Sequence, residues 1–253
     1  MLIKTINTEK LETFVYETRA QMGKAAAKSA AEAINKVLAK KEFANVIFAA
    51  APSQNETLEE LLKEQIDFSR INAFHMDEYV GLKNGAEQSF AYFLTEHIFS
   101  KAPFNSVNII STENGAEKAC EDYSALLQKF PPDVVLMGIG ENGHIAFNDP
   151  PVADFNDSAV IKKVELDDVC RMQQVHDGCF PAFDDVPKYA LTLTVPTLMS
   201  AEYLICTVPA PTKANAVKAM LEGEYGEICP ATALRRHENA KMFLDKDSAA
   251  LVL

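Results

Sequence analysis

Short, apolar, β-prone runs alternate with longer amphipathic stretches along almost the whole of this 253-residue sequence, and few folds bury both kinds of segment. The strand-like runs are NVIFAA (45–50), INAFHM (71–76), SVNII (106–110), VVLMGIG (134–140), YALTLTV (189–195), YLICTV (203–208) and KMFLD (241–245). Helical periodicity falls between them, over 9–40, 57–68, 88–99, 116–129, 211–222 and 231–236. The first of these is rich in Ala, Lys and Glu, all good helix formers, with a break expected near Gly23. Such alternation predicts an α/β chain: a single-domain, open, mostly parallel sheet with helices on both faces, a Rossmann-like three-layer sandwich spanning 1–253. No Gly/Ser/Pro-rich linker divides it.

Composition narrows the partners. A net charge of −12 disfavours nucleic acid and anionic membrane surfaces, since a polyanion meets repulsion over most of the molecule. An anionic substrate then needs local positive groups. The longest apolar runs fall well short of the roughly 20 residues that span a bilayer, and MLIKTINTEK lacks the apolar centre of a signal peptide. Cysteines 120, 170, 179, 206 and 229 form no CxxC pair and are odd in number. That suits reduced thiols in the cytoplasm. Many α/β enzymes are homo-oligomers, and the sequence leaves self-association open.

In open parallel sheets, ligands bind beyond the carboxyl ends of the strands, where loops converge. The polar clusters of this sequence sit at such ends. In GIGENGHIAFNDP (138–150), His144 lies in a glycine-flanked turn with Glu141, Asn142, Asn148 and Asp149 nearby. It is a candidate general acid/base, against the plainer reading of a loop-capping histidine. Gly138, Gly140 and Gly143 would let backbone approach a ligand closely. Histidines 75, 97, 176 and 237 lack such a setting, and no HxH or HxxxH pair suggests a metal site.

Asp77 and Glu78 directly follow INAFHM, so at least one carboxylate should project into the crevice as a base; an N-cap or a salt-bridged loop acid is the competing reading. In VPAPTKANAV, Lys213 lies in the first turn of a helix, a natural phosphate cradle or an ordinary exposed lysine. In AAAPSQNE, Ser53 and Gln54 precede a helix and could bind an anion or simply cap it.

FHMDEYVGL (74–82), GIGENGHIAFNDP, VPKYALTL and PTKANAV together resemble the glucosamine-6-phosphate deaminases, also called isomerases, within the wider group that includes 6-phosphogluconolactonases. The likeness covers essentially the whole chain, and HIAFN and MDEYVGL point to the deaminase branch. The resemblance implies a hydrolytic enzyme of amino-sugar metabolism, serving N-acetylglucosamine catabolism, that converts glucosamine 6-phosphate to fructose 6-phosphate and ammonia with no cofactor. By position, His144 would assist opening of the sugar ring. Asp77 would then carry the C2 proton to C1. Ser53, Gln54, Lys213 and Gly143 would hold the substrate and its phosphate.

Several positions depart from the family pattern. Asn142 and Asp149 replace Asp and Glu, so Asn142 brings no charge to the histidine and Asp149 has a shorter reach; Glu141 would have to compensate from the adjacent position, or catalysis weakens. Ala50 and Ala51 stand where a Thr and a Gly are usual. CRMQQVHDGCF (170–180) replaces the stretch that bears a phosphate-binding arginine, with Arg171 as the substitute. Galactosamine 6-phosphate or a sugar lactone as substrate, and a catalytically silent sugar-phosphate binder, stay open alternatives at this level.

Overall fold

The computed structural model describes residues 1–83 and 85–253. Its elements, in chain order, are β1 (Leu2–Thr8), β2 (Leu11–Tyr16), α1 (Arg19–Leu38), β3 (Ala44–Phe48), α2 (Asn55–Leu61), β4 (Ile71–His75), β5 (Asp77–Tyr79), α3 (Phe90–Leu94), β6 (Ser106–Asn108), α4 (Ala116–Lys129), β7 (Val134–Met137), β8 (Ile161–Glu165), α5 (Asp168–His176), β9 (Tyr189–Leu193), α6 (Val195–Met199), β10 (Tyr203–Val208), α7 (Ala214–Glu222) and β11 (Ala240–Asp245). Short 3-10 turns precede α2, α7 and β11, at Pro52–Gln54, Pro211–Lys213 and Pro230–Arg236. Among the described residues, no helix is long and apolar enough to cross a membrane.

Eight strands form one sheet in the order β1-β2-β11-β10-β7-β3-β4-β6, parallel throughout except for the β1–β2 hairpin. Alternate side chains of the central strands enter two separate cores. Ile47, Val135 and Met137 pack with residues of α4, α6 and α7, whereas Val46, Phe48, Val134 and Leu136 pack with residues of α1, α2 and α3. The expected mostly parallel sheet with helices on both faces is therefore the observed one. After β3 the chain builds outward through β4 to β6, then returns to the other side of β3 as β7. The strand order thus reverses between β3 and β7, the position at which open α/β sheets leave a crevice.

Three expectations fail. Residues 9–16 are not helical: LETFVY alternates buried Leu11, Thr13 and Val15 with more exposed neighbours and pairs with β1 across a turn where Glu9 takes φ +53°. The helix begins only after Thr18, whose hydroxyl accepts from the Gln21 amide at 3.3 Å. The second concerns YALTLTV, which does not join the main sheet. Its strand, β9, is the centre of a three-stranded antiparallel sheet, β5-β9-β8, pairing Asp77 with Thr192 and Ile161 with Leu193.

Gly23 does not break α1; it is a contact point. A Cβ there would lie 2.4 Å from Glu56 Cβ and 3.0 Å from the Glu56 carbonyl carbon, so the missing side chain is what lets α1 lie against α2. In an isolated helix, Gly→Ala stabilises by about 1 kcal/mol. Here Gly23→Ala is expected to destabilise the protein by about 1–3 kcal/mol in urea denaturation, because the added methyl overpacks the contact; a stabilised variant would refute that packing.

Candidate active site

The crevice at the β3/β7 reversal is a cleft of about 830 Å³, counting the solvent at its mouth. Its walls come from the carboxyl ends of four strands: residues 49–54 after β3, Met76 and Asp77 after β4, Gly138–Gly140 after β7, and Pro209, Ala210, Thr212 and Lys213 after β10. His144, Ala146, Phe147 and Phe90 close it, and Gln173, Gln174, Asp177 and Cys179 reach over from α5 and the turn that follows.

The histidine loop is fixed by its own backbone. Gly140 N–H donates to the His144 carbonyl at 2.9 Å, and Gly143 N–H donates to the Gly140 carbonyl at 3.1 Å. Gly143 takes φ +83° and lies so close to Cys229 that a Cβ would meet its Sγ at 2.6 Å. A Cβ on Gly140 would land 2.1–2.4 Å from atoms of the His144 ring. Asn148 is fully buried and donates to the carbonyls of Ile145 and Leu193, stitching the loop to β9.

His144 Nδ1 lies at an ion-pair separation of 2.8 Å from Asp149 Oδ1. Asn142 joins them: its amide nitrogen donates to the same Asp149 oxygen at 2.9 Å, and its amide oxygen accepts from the His144 backbone N–H at 3.0 Å. Asp149 lies within reach of the ring despite its short side chain. Glu141 does not compensate. Its carboxylate lies 3.9 Å from His176, its backbone N–H donates to Gln173 Oε1 at 2.9 Å, and it does not line the cleft. Burial opposes the Asp149 charge, but His144, Asn142 and the Cys170 thiol together outweigh it and hold the carboxyl below its ordinary pKa.

Asp77 experiences the reverse. It is buried, carries the neighbouring charge of Glu78, and has its pKa pushed well above the ordinary carboxylate value, first by burial and then by Glu78. Glu78 itself is a cap, as the competing reading allowed: it accepts from the backbone N–H groups of Tyr79, Phe90 and Ala91 at 2.9, 3.2 and 2.9 Å and pins the start of α3. Next to them, His75 is a structural histidine. Burial lowers its pKa to about 3, and its Nε2 accepts from the Ile110 N–H at 2.7 Å.

On the opposite wall, Gln54 is buried and donates to Ser53 Oγ at 3.1 Å and to the Thr207 carbonyl at 3.3 Å, so it orients the serine from beneath. Lys213 is only 5% exposed, and burial pulls its ammonium pKa down, partly offset by Asp177 and Glu141.

Asp77, His144, Ser53, Gln54 and Lys213 therefore share one cleft, with Asn142 and Asp149 behind His144. Arg171 does not reach it. Its guanidinium donates to the carbonyls of Phe183 and Val186 at 2.9 and 3.0 Å and lies over the Phe183 ring, bracing the segment after α5. Gly143 also lies outside the lining and serves the turn. The sequence reading missed Arg19, Gln173, Gln174 and Asp177. The signal for α5 was present in Asp167, whose carboxylate caps the Cys170 N–H at 2.6 Å. Nothing in the sequence announced that His144, Asp149 and Cys170 lie together, each with one side-chain N, O or S atom within 4.8 Å of the others.

The sequence profile of the family described as glucosamine-6-phosphate isomerases/6-phosphogluconolactonase matches residues 17–243. The chain belongs to that family. Among its relatives, glucosamine-6-phosphate deaminase of Bacillus cereus is 35% identical over 219 residues, 86% of this chain and 82% of that protein. The deaminase of Bacillus cytotoxicus is 34% identical over 193 residues, 76% and 72% of the two chains. The solved structure of a monomeric glucosamine-6-phosphate deaminase superposes with TM-score 0.86 at 28% identity, over 94% of this chain and 99% of that one. The 6-phosphogluconolactonase of Thermotoga maritima superposes with TM-score 0.77 at 21% identity, over 94% and 100%, a likeness of fold. For this family member the cleft of Asp77 and His144 is the candidate active site.

A carboxyl whose pKa is raised by folding binds a proton more tightly in the native than in the unfolded chain, so between the two pKa values stability falls as pH rises. Asp77→Asn removes that cost. The variant is expected to be more stable than the parent at pH 8, with the gain lost as pH falls through the raised pKa of Asp77 toward the ordinary carboxylate value, in denaturation series across pH; a variant less stable at pH 8 would refute the burial argument.

Proposed function

We propose that this protein is a glucosamine-6-phosphate deaminase: it isomerises the aldose to the ketose and releases the nitrogen as ammonia, leaving fructose 6-phosphate. The observation that carries the reading is the presence of a carboxylate and an imidazole, Asp77 and His144, in one cleft of a chain that shares a third of its sequence with deaminases. Their retention argues against a silent sugar-phosphate binder.

In this reading His144 passes a proton to and from the ring oxygen as the pyranose opens to the aldehyde. Asp149 and Asn142 hold its ring and backbone in place from behind. Asp77 takes the C2 proton of the open chain, made acidic by the adjacent carbonyl, and returns it at C1. Burial and the neighbouring Glu78 raise its pKa above the ordinary carboxylate value, which makes it a stronger base than a solvated aspartate. The isomerisation leaves an imine at C2. Water adds there, the C–N bond breaks and ammonia departs, which is the sense in which the reaction is hydrolytic. No step in this sequence calls for a cofactor. Lys213 and Ser53 take the phosphate at the far wall. Free cysteines at 120, 170, 179, 206 and 229 accord with a reducing cytoplasm, the compartment we assign to this step of amino-sugar breakdown.

Incubation with glucosamine 6-phosphate is expected to yield ammonia and fructose 6-phosphate in equal amounts, and Asp77→Asn is expected to lower kcat/KM by about 10²–10⁴-fold without loss of fold. Failure of the parent to release either product at saturating substrate, or an Asp77→Asn variant as active as the parent, would overturn the assignment.

A further inference from the structure

With Arg171 committed to the carbonyls beyond α5, the cleft still needs to neutralise a dianion in a chain of net charge −12. Two of the cleft's residues are Lys or Arg: Lys213 and Arg19. Lys213 is 95% buried, and among the described residues its ammonium makes no hydrogen bond or ion pair, so it is a desolvated cation without a partner. Arg19 is the first residue of α1, directly after the Thr18 cap, and it lines the cleft alongside Pro52, Ser53 and Gln54.

The setting of Arg19 is a clamp. Its Nε donates to Glu56 Oε1 at 2.6 Å, and one terminal nitrogen donates to the Pro52 carbonyl. Both partners flank the Ser53–Gln54 turn. The other terminal nitrogen, Nη1, has no acceptor among the described residues. A guanidinium held on one side and unfilled on the other keeps its planar fork oriented, so little rotamer entropy remains to be lost when an oxyanion arrives.

We propose that Arg19 is the arginine that grips the phosphate of the substrate, sharing its oxygens with Lys213 and the Ser53 hydroxyl, and that Glu56 is a positioning residue that aims it. The inference rests on reading the substrate as a sugar 6-phosphate. It relocates the arginine contact from the segment that covers the cleft to the first turn of α1, on its floor.

The test compares the parent with Arg19→Gln, Arg19→Lys and Glu56→Gln. For each, ammonia release from glucosamine 6-phosphate is followed, together with competitive inhibition by inorganic phosphate. Arg19→Gln is expected to raise both KM and the phosphate inhibition constant by about 10- to 100-fold while kcat stays within about threefold, because a charge-assisted contact to a non-reacting group is made equally in ground and transition states. Arg19→Lys should recover part of the loss, and Glu56→Gln should raise KM less than Arg19→Gln does. Unchanged KM and inhibition constant, or a fall in kcat at constant KM, would overturn the proposal. If Arg19→Gln melts below the assay temperature, Arg19→Lys carries the comparison. If the parent releases no ammonia, the activity reading fails separately, and calorimetric titration of parent and variant with inorganic phosphate decides the role of Arg19: weaker binding in the variant sustains it, and equal affinities overturn it.

Discussion

A parallel strand buried on both faces can offer polar side chains to a ligand only where it stops. In this protein the central strands β3, β4, β7 and β10 stop along one edge, and the loops that leave them carry the cleft's groups. The reversal of strand order between β3 and β7 opens the space they share. Close packing at that edge leaves no room for substitution in several places. Gly138 makes way for Gln54 and the Thr207 carbonyl, and Gly140 for the imidazole of His144. The position of the histidine therefore depends on the same strand ends that shape the cleft.

Within that frame, two buried aspartates are driven in opposite directions. Asp149 is surrounded by donors and by the imidazole, which outweigh its burial and favour the charged form. Asp77 meets burial and a like charge from Glu78, which favour the neutral form. Pairs of acids pushed apart in this way are how one site keeps a fixed anion to orient a histidine and, beside it, a carboxyl with a stronger hold on a proton. The strength of Asp149 also answers the departures from the family pattern. An Asp–Asn pair, with Asn142 bridging both the carboxylate and the histidine backbone, supplies an orienting network without a second charge.

The sequence made the sheet legible because strands buried on both faces read as apolar runs, and it made Asp77 and His144 legible because Asp77 directly follows such a run and His144 sits in the glycine-flanked loop after another. Other features depend on distance in space. The hairpin β1–β2 was masked by the Ala-, Lys- and Glu-rich helix that follows it, since propensity summed over a long window overran the Thr18 cap. Arg171 was chosen because it lay in the expected segment, but a helix turn decides which way a side chain points, and its guanidinium went to backbone carbonyls. Arg19 lies far from the cleft's loops in sequence and reaches them only because Gly23 lets α1 lie against α2. Glu141 failed for a related reason: in a tight turn, adjacent residues point apart, so nearness to His144 in sequence gave no contact.

The central claim is that Asp77 moves the proton at C2. The most direct measurement uses glucosamine 6-phosphate deuterated at that carbon. The account predicts slower ammonia release than from the unlabelled sugar, with the label recovered at C1 of fructose 6-phosphate or in the solvent, and neither effect in Asp77→Asn. Ammonia release that is as fast from the labelled sugar as from the unlabelled one, or an Asp77→Asn variant that removes the deuterium as fast as the parent, would contradict the account.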